Sequence, residues 1–454
     1  MFPISRIVRS FPKNWNRTFT VVIQPTERTF FSATSPQKEV EKKVAFNFNN
    51  YDCIGFDLDN TLARYKIGNM LEMEYKIVCN YLIKEKNLPT DMLLKPIDPN
   101  FLIKGLIVDD ENGNLIRIAP DGRILQATHG TRWLTEKEIL EYYPTRHWKA
   151  TDLFIEDPLQ TWNGPYSEKM RTLLDYFDIV VGLAFARSVD TIDKYNGPKK
   201  EYNIWPTLFN ALMYMFNREH FEQDLGEYFP EMKKNPHQYY YKCSENVEKW
   251  LRELKKRGKQ LFLITGAHAD FANHTATYTI GKNWKEYFDI VITYAKKPGF
   301  FIQERDFIGL NDKFQETDPI ATKDLHRGGM YTYGNWIGLR DFLTQLSNKT
   351  DPKFLYIGDN LIQDIYVPHV HTECDTVNVC EELEAESSFG FTNQEHPDKH
   401  VLSSTLWGSY FHCKDTGNIT VWYNLMRRHS LICVPSLEYI AKYPVDYQFE
   451  LSNS

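Results

Sequence analysis

An apolar run ending at Phe56 delivers two carboxylates, Asp57 and Asp59, with Asn60 and Thr61 behind them as turn formers. Alternate residues of a strand share a side, so this pair would converge where the strand ends. That is the carboxyl edge at which open α/β sheets hold ligands. Two carboxylates placed so close are unfavourable unless one is protonated or a cation lies between them. Mg²⁺, a hard ion that prefers oxygen ligands, is the natural candidate. Other predicted strands also lead into functional groups: residues 260–264 into Thr265, 288–292 towards Lys297, and 353–357 into Asp359, with Asp364 five residues on. A carboxylate so placed can attack phosphorus and split one difficult displacement into two. A second can protonate the leaving oxygen and then activate water. Hydroxyl and ammonium groups can hold phosphoryl oxygens, and a divalent cation can offset the charge.

The elements that must position these groups form an α/β pattern with a long interruption. A strand over 52–58 is followed by residues 70–86, whose apolar positions have helical spacing. Residues 102–108, 114–118 and 123–127 then alternate with period two, punctuated by the turn pairs Asn112–Gly113 and Asp121–Gly122. They predict a three-stranded antiparallel meander which, with the mixed and mostly helical stretch 145–232, reads as an inserted cap. The α/β pattern resumes at Ser244, an N-cap for a helix closed by Gly258. Strands over 260–264, 288–292, 353–357 and 376–379 follow, with a helix over 336–346. Residues 300–335, polar and rich in Gly and Asp, predict an irregular excursion. Beyond 381 only a helix near 419–430 is predicted.

The chain of 454 residues has an apolar content of 42%, ordinary for a globular protein, and a net charge of −7 that argues against a nucleic-acid binder. Seven scattered cysteines without a CxxC pair indicate neither a zinc site nor a disulfide framework. The longest apolar run, 179–186, is too short to span a bilayer. Up to residue 38 the basic residues Arg6, Arg9, Lys13, Arg17, Arg28 and Lys38 face one acid, Glu27, and serines and aromatics intervene. That composition is the one expected of an organelle transit peptide, so the localisation reads as cytoplasmic or mitochondrial.

The ordered set resembles the haloacid dehalogenase-like phosphatases, whose motifs are DxDxT, a strand-terminal Thr or Ser, a Lys, and GDxxxxD. Phe56 to Leu62, Lys104–Gly105–Leu106, Gly113–Asn114–Leu115, His129–Gly130, Lys297 to Phe301 and Tyr356 to Asp359 are similar, more narrowly, to the cytosolic purine 5'-nucleotidase family. The likeness runs from about 50 to 415. It implies a Rossmann-like haloacid dehalogenase core over 45–66 and 244–385, with a large mixed α+β cap (67–243) inserted after the first core strand. Residues 1–44 would form an N-terminal extension, and 386–454 a C-terminal extension packing on the core. The resemblance further implies Mg²⁺-dependent hydrolysis of a phosphate monoester, expected to be a nucleoside 5'-monophosphate, through an aspartyl-phosphate. Asp57 would be the nucleophile and Asp59 the acid/base. Thr265 and Lys297 would bind phosphate, Lys297 rather than Lys296 because it directly precedes Pro298. Asp57, the Asp59 carbonyl and Asp359 would ligate Mg²⁺, with Asp364 in support. Phe177 and Asp178 resemble the segment that stacks on and orients the nucleobase. The purine enzymes carry an arginine–aspartate pair further along the cap that has no assigned counterpart in this chain, and the nearby residues 221–232 contain no arginine. That departure leaves two alternatives open: a catalytically weak nucleotide-binding or scaffold protein, and a phosphatase for a non-nucleotide metabolite. The expected partner is thus a small phosphate ester, with no nucleic acid and no membrane span, and homo-oligomerisation is left open.

Overall fold

A computed structural model describes residues 45–450, apart from 373, 392–394 and 414–415. The basic segment 1–44 lies outside the described residues, as does the transit-peptide reading attached to it.

The centre is a nine-stranded sheet in the order Glu316–Ile320, Phe307–Leu310, Gly329–Tyr333, Ile290–Thr293, Gln260–Ile264, Cys53–Phe56, Phe354–Gly358, Cys374–Val379, Ile432–Val434. From Gly329–Tyr333 to Ile432–Val434 every neighbouring pair is parallel, and Phe307–Leu310 runs against both its neighbours. The central strands are buried on both faces, which is why they read as continuous apolar runs rather than alternating ones. Covering helices follow from local signals. Glu245–Lys256 is capped by the Ser244 side chain accepting from Val247 N, with Glu245 and Glu248 in its first turn and Lys255 and Lys256 in its last.

The interruption after Cys53–Phe56 folds around a second sheet in which all pairs are antiparallel. The meander of Leu106–Asp109, Asn114–Ile118 and Ile124–His129 is present, and two strands extend it, Arg132–Trp133 on one edge and Met170–Leu173 on the other. The apolar run 179–186 is the start of the helix Ile179–Asn196, buried almost all round against this sheet. Among the described residues no helix is long and apolar enough to cross a membrane.

Two expectations need correction. Residues 300–335 are not an irregular excursion: they supply three strands that carry the main sheet to one edge. Glu316–Ile320 is exposed along most of its length and contains Pro319, as suits a protected edge strand, so it has no apolar alternation to betray it. Beyond 381 there is more than the helix Val421–His429. The three-residue strand Ile432–Val434 closes the other sheet edge, and Phe449–Glu450 pairs with Ala45–Phe46. No disulfide joins any of the seven cysteines.

Candidate active site

Four neighbouring strands of the sheet end on the same side, and residues just beyond them meet there. Asp57 follows Cys53–Phe56, its N–H donating to Ile357 O at 2.8 Å. Thr265 follows Gln260–Ile264, its N–H donating to Ile292 O at 2.9 Å. Asp359 follows Phe354–Gly358, and Lys297 stands four residues beyond Ile290–Thr293. The parallel ladder carries on past its last paired residues, Phe56 and Leu263, and brings Asp57 and, one residue further along its own strand, Thr265 to the same carboxyl edge.

Lys297 is the hub. Its Nζ donates to Asp57 Oδ1 at 2.6 Å and to Asp364 Oδ1 at 2.7 Å, with all three side chains almost wholly buried. Burial works against its charge, but Asp364 and Asp57 beside it hold its pKa well above the usual lysine value. Asp364 is fully engaged, since its Oδ2 also accepts from Asn360 N at 3.2 Å. Asp59 turns the other way. Its Oδ1 accepts from Tyr65 Oη at 2.7 Å and its Oδ2 from Thr265 Oγ1 at 3.4 Å, and burial holds its pKa up to about 6.

Three carboxylates, on Asp57, Asp359 and Asp364, offer oxygens within 4.8 Å of one another. Burial raises the pKa of Asp359, and Asp175, Asp57 and Asp364 raise it further. Asp359 Oδ2 is buried without a hydrogen-bond partner. An orphaned carboxylate oxygen beside two more carboxylates fits a hard divalent cation, which reverses the local preference for the neutral acids. Asp364 already has partners on both oxygens, so the free ligand positions belong to Asp57 and Asp359, with Asp364 fixing Lys297 behind them.

These residues form the floor of a cavity of about 820 Å³. Its walls are aromatic, with Phe177, Phe216 and Tyr228 from the cap and Phe271 and Tyr294 from the core side. Phe177 meets Phe216 edge-on at 5.8 Å. Asp178 does not reach this cavity. It faces a side recess of about 190 Å³, accepts from Asp175 N at 3.1 Å, and is made more basic by burial and by Asp175. The acid that lines the main cavity beside Phe177 is Asp175, whose Oδ1 accepts from Phe177 N at 3.3 Å. The nucleobase segment therefore presents Phe177 and Asp175, because in the turn after Met170–Leu173 the Asp178 side chain folds back to accept from Asp175 N.

Sequence reasoning also passed over Arg218. It begins the short helix Arg218–Glu222, three residues before the arginine-free stretch 221–232. It lines the cavity, lies 3.3 Å from Asp270 and 3.1 Å from Glu222, and donates to Phe314 O at 2.8 Å. An arginine followed four residues later by an acid was the available signal. His268 stacks on Tyr294 with ring centroids 3.7 Å apart at the cavity wall, and burial lowers its pKa to about 4.

A sequence model of the 5' nucleotidase family matches residues 42–406 of the chain. The chain is 34% identical over 434 residues to a human protein named 5'-nucleotidase domain-containing protein 1, covering 89% of this chain and 92% of that one. The bovine protein of the same name is 33% identical over 429 residues, with the same coverage of both chains. Human 5'-nucleotidase domain-containing protein 2 is 26% identical over 333 residues, which is 70% of this chain and 58% of that one.

Proposed function

Because this chain belongs to the 5' nucleotidase family, and so to the phosphate monoester hydrolases, we propose that it cleaves nucleoside 5'-monophosphates through an aspartyl-phosphate with Mg²⁺ bound. One observation carries the reading: Asp57, Asp59, Thr265, Lys297 and Asp359 converge at the ends of four neighbouring strands, under an aromatic cavity large enough for a nucleotide.

In this reading Asp57 attacks the phosphorus, held in place by Lys297 on its Oδ1. Thr265 Oγ and Lys297 Nζ receive the phosphoryl oxygens. As the bond to the leaving oxygen breaks, its electron pair stays with that oxygen, which takes a proton from Asp59. Asp59, now a carboxylate, then removes a proton from water as the water attacks phosphorus, and the P–O bond to Asp57 breaks with its electron pair, which restores the Asp57 carboxylate and releases inorganic phosphate. Mg²⁺, when bound by Asp57, Asp359 and the Asp59 carbonyl, supplies charge compensation at the phosphoryl oxygens. Phe177 and the neighbouring aromatics suit the face of a base, and Arg218 with Asp270 offers donors and an acceptor for polar groups on its rim. A guanidinium in the cavity wall, Arg218, supports the hydrolase reading over the scaffold alternative.

The test is phosphate release from a panel of nucleoside 5'-monophosphates and sugar phosphates in Mg²⁺, with Asp57→Asn alongside. The variant is expected to lose at least roughly 10³-fold in kcat. Release unaffected by the substitution sinks the mechanism, and release from sugar phosphates alone moves the substrate class.

A further inference from the structure

Tyr65 stands where three parts of the molecule meet, and none of the roles above uses it. It is completely buried. It lies in the segment that leaves the core for the cap and forms an isolated antiparallel bridge with Tyr240 in the segment that returns. The bridge is reinforced by Lys66 N donating to Tyr239 O at 2.8 Å and Tyr241 N donating to Arg64 O at 3.0 Å. Its ring lies 4.8 Å from that of Tyr240, and the ring of Phe177, from the cap side of the cavity, meets it edge-on at 5.2 Å. Its hydroxyl donates to Asp59 Oδ1 at 2.7 Å.

From this geometry we infer that Tyr65 is the positioning residue that aims Asp59 at the leaving group and ties that aim to the seating of the cap. The inference rests on the hydrolase reading above. A carboxyl group can present either oxygen to a substrate, and the phenol removes that freedom. With Oδ1 occupied by Tyr65, Oδ2 is the oxygen that faces Thr265 and the phosphoryl position. The proton delivered to the leaving oxygen therefore sits on Oδ2. When it departs with that oxygen, Asp59 becomes a carboxylate and the bond from Tyr65 becomes charge-assisted, hence stronger. Tyr65 thus favours the transferred state over the starting one, which is what speeds a proton-coupled step. Because Phe177 and Tyr240 fix the ring, displacement of the cap would loosen the same bond.

Tyr65→Phe keeps the packing and removes the donor. The measurement is kcat/KM, which reports steps up to formation of the phosphoenzyme, for two esters: a nucleoside 5'-monophosphate, whose alkoxide must be protonated to leave, and p-nitrophenyl phosphate, whose leaving group departs as a stabilised anion. Expected is a fall of about tenfold on the nucleotide with the aryl ester within about twofold of wild type, a fraction of the ~10²–10⁴ that a general acid supplies. A fold or stability defect lowers both by one factor, so the ratio between esters is insensitive to how much protein is folded. A ratio equal to that of wild type, with Asp57→Asn inactive, overturns the positioning role and leaves the hydrolase reading standing. Undiminished release by Asp57→Asn, or no release from either ester by wild type, overturns that reading and this inference with it.

Discussion

At the scale of single residues, the site is sensitive to atoms that never touch a substrate. A Cβ on Gly358 would lie 2.5 Å from Asp364 Cβ and 2.6 Å from its Cγ. Alanine there has to displace Asp364, and Asp364 is one of the two anchors of Lys297. Gly358→Ala is therefore expected to lower kcat by about 10–100-fold, the scale of an ångström's misplacement. Asp364→Ala should cost about as much, and the double variant little more than either, because both act through one ammonium group. Steady-state kinetics on the three proteins check this, and additive losses would refute it. Arg218→Ala should divide differently, raising KM about tenfold with kcat within about threefold, since its guanidinium lines the wall rather than the floor. The catalytic cluster was legible because Asp57, Thr265 and Asp359 each terminate an apolar run, a local pattern. Asp175 and Arg218 were not. Neither ends a strand of the main sheet, and each lines the cavity only because the cap docks over the sheet.

At the scale of elements, the cap is bound to the segment beyond residue 386 as well as to the sheet. The Arg117 guanidinium, on the cap strand Asn114–Ile118, donates to the carbonyls of Trp407 and Ser409. Trp422 Nε1 donates to Gly105 O at 2.8 Å, and Gly105 has φ +89° with its missing Cβ position 2.2 Å from that nitrogen. At this junction Glu386 accepts from Tyr410 N at 2.7 Å and Ser409 Oγ at 2.5 Å, and burial still raises its pKa to about 7. A carboxyl group whose folded pKa lies above its unfolded one stabilises the fold fully below the unfolded value, near 4.5, and loses that contribution as pH rises through about 7. Glu386→Gln, which carries no charge to lose, should therefore match wild type near pH 4.5 and gain on it up to pH 8, by roughly 2 kcal/mol. Denaturant unfolding at both pH values measures the difference, and a pH-independent gap would contradict the assignment. None of this junction was readable from periodicity. Hydrophobic pattern reports which face of an element is buried, and so it found the central strands and the meander. It says nothing of Ile432–Val434, three residues long, or of Glu316–Ile320, whose pairing is imposed by its neighbour.

At the scale of the whole molecule, the sheet needs the far end of the chain. Ile432–Val434 covers the edge of Cys374–Val379, and Trp407, Tyr410, Phe411 and Trp422 are all buried. A chain ending at residue 385 would expose that strand edge and lose these rings, at about 3–5 kcal/mol for each large aromatic removed, so it is expected to be recovered only as aggregate. Soluble, cooperatively melting protein from that truncation would refute the dependence. The charge at the site makes a second global prediction. With no cation bound, Asp57 and Asp364 share the Lys297 ammonium group, while Asp359 stands beside both carboxylates with its Oδ2 without a partner. A cation that binds only the folded chain adds stability as RT ln(1 + [L]/Kd), about 2.7 kcal/mol at a hundredfold excess over Kd. Mg²⁺ should raise the melting temperature of the wild type by a few degrees, and a chelator should reverse the rise. Asp359→Asn relieves one like charge while removing a ligand. In chelator it is therefore expected to melt at or above the wild type, and in Mg²⁺ to gain little. The crossing of the two proteins is the informative feature, because a variant that only damaged the fold would melt lower in both conditions. A wild type indifferent to Mg²⁺, or an Asp359→Asn protein that responds to it in full, would place the cation elsewhere.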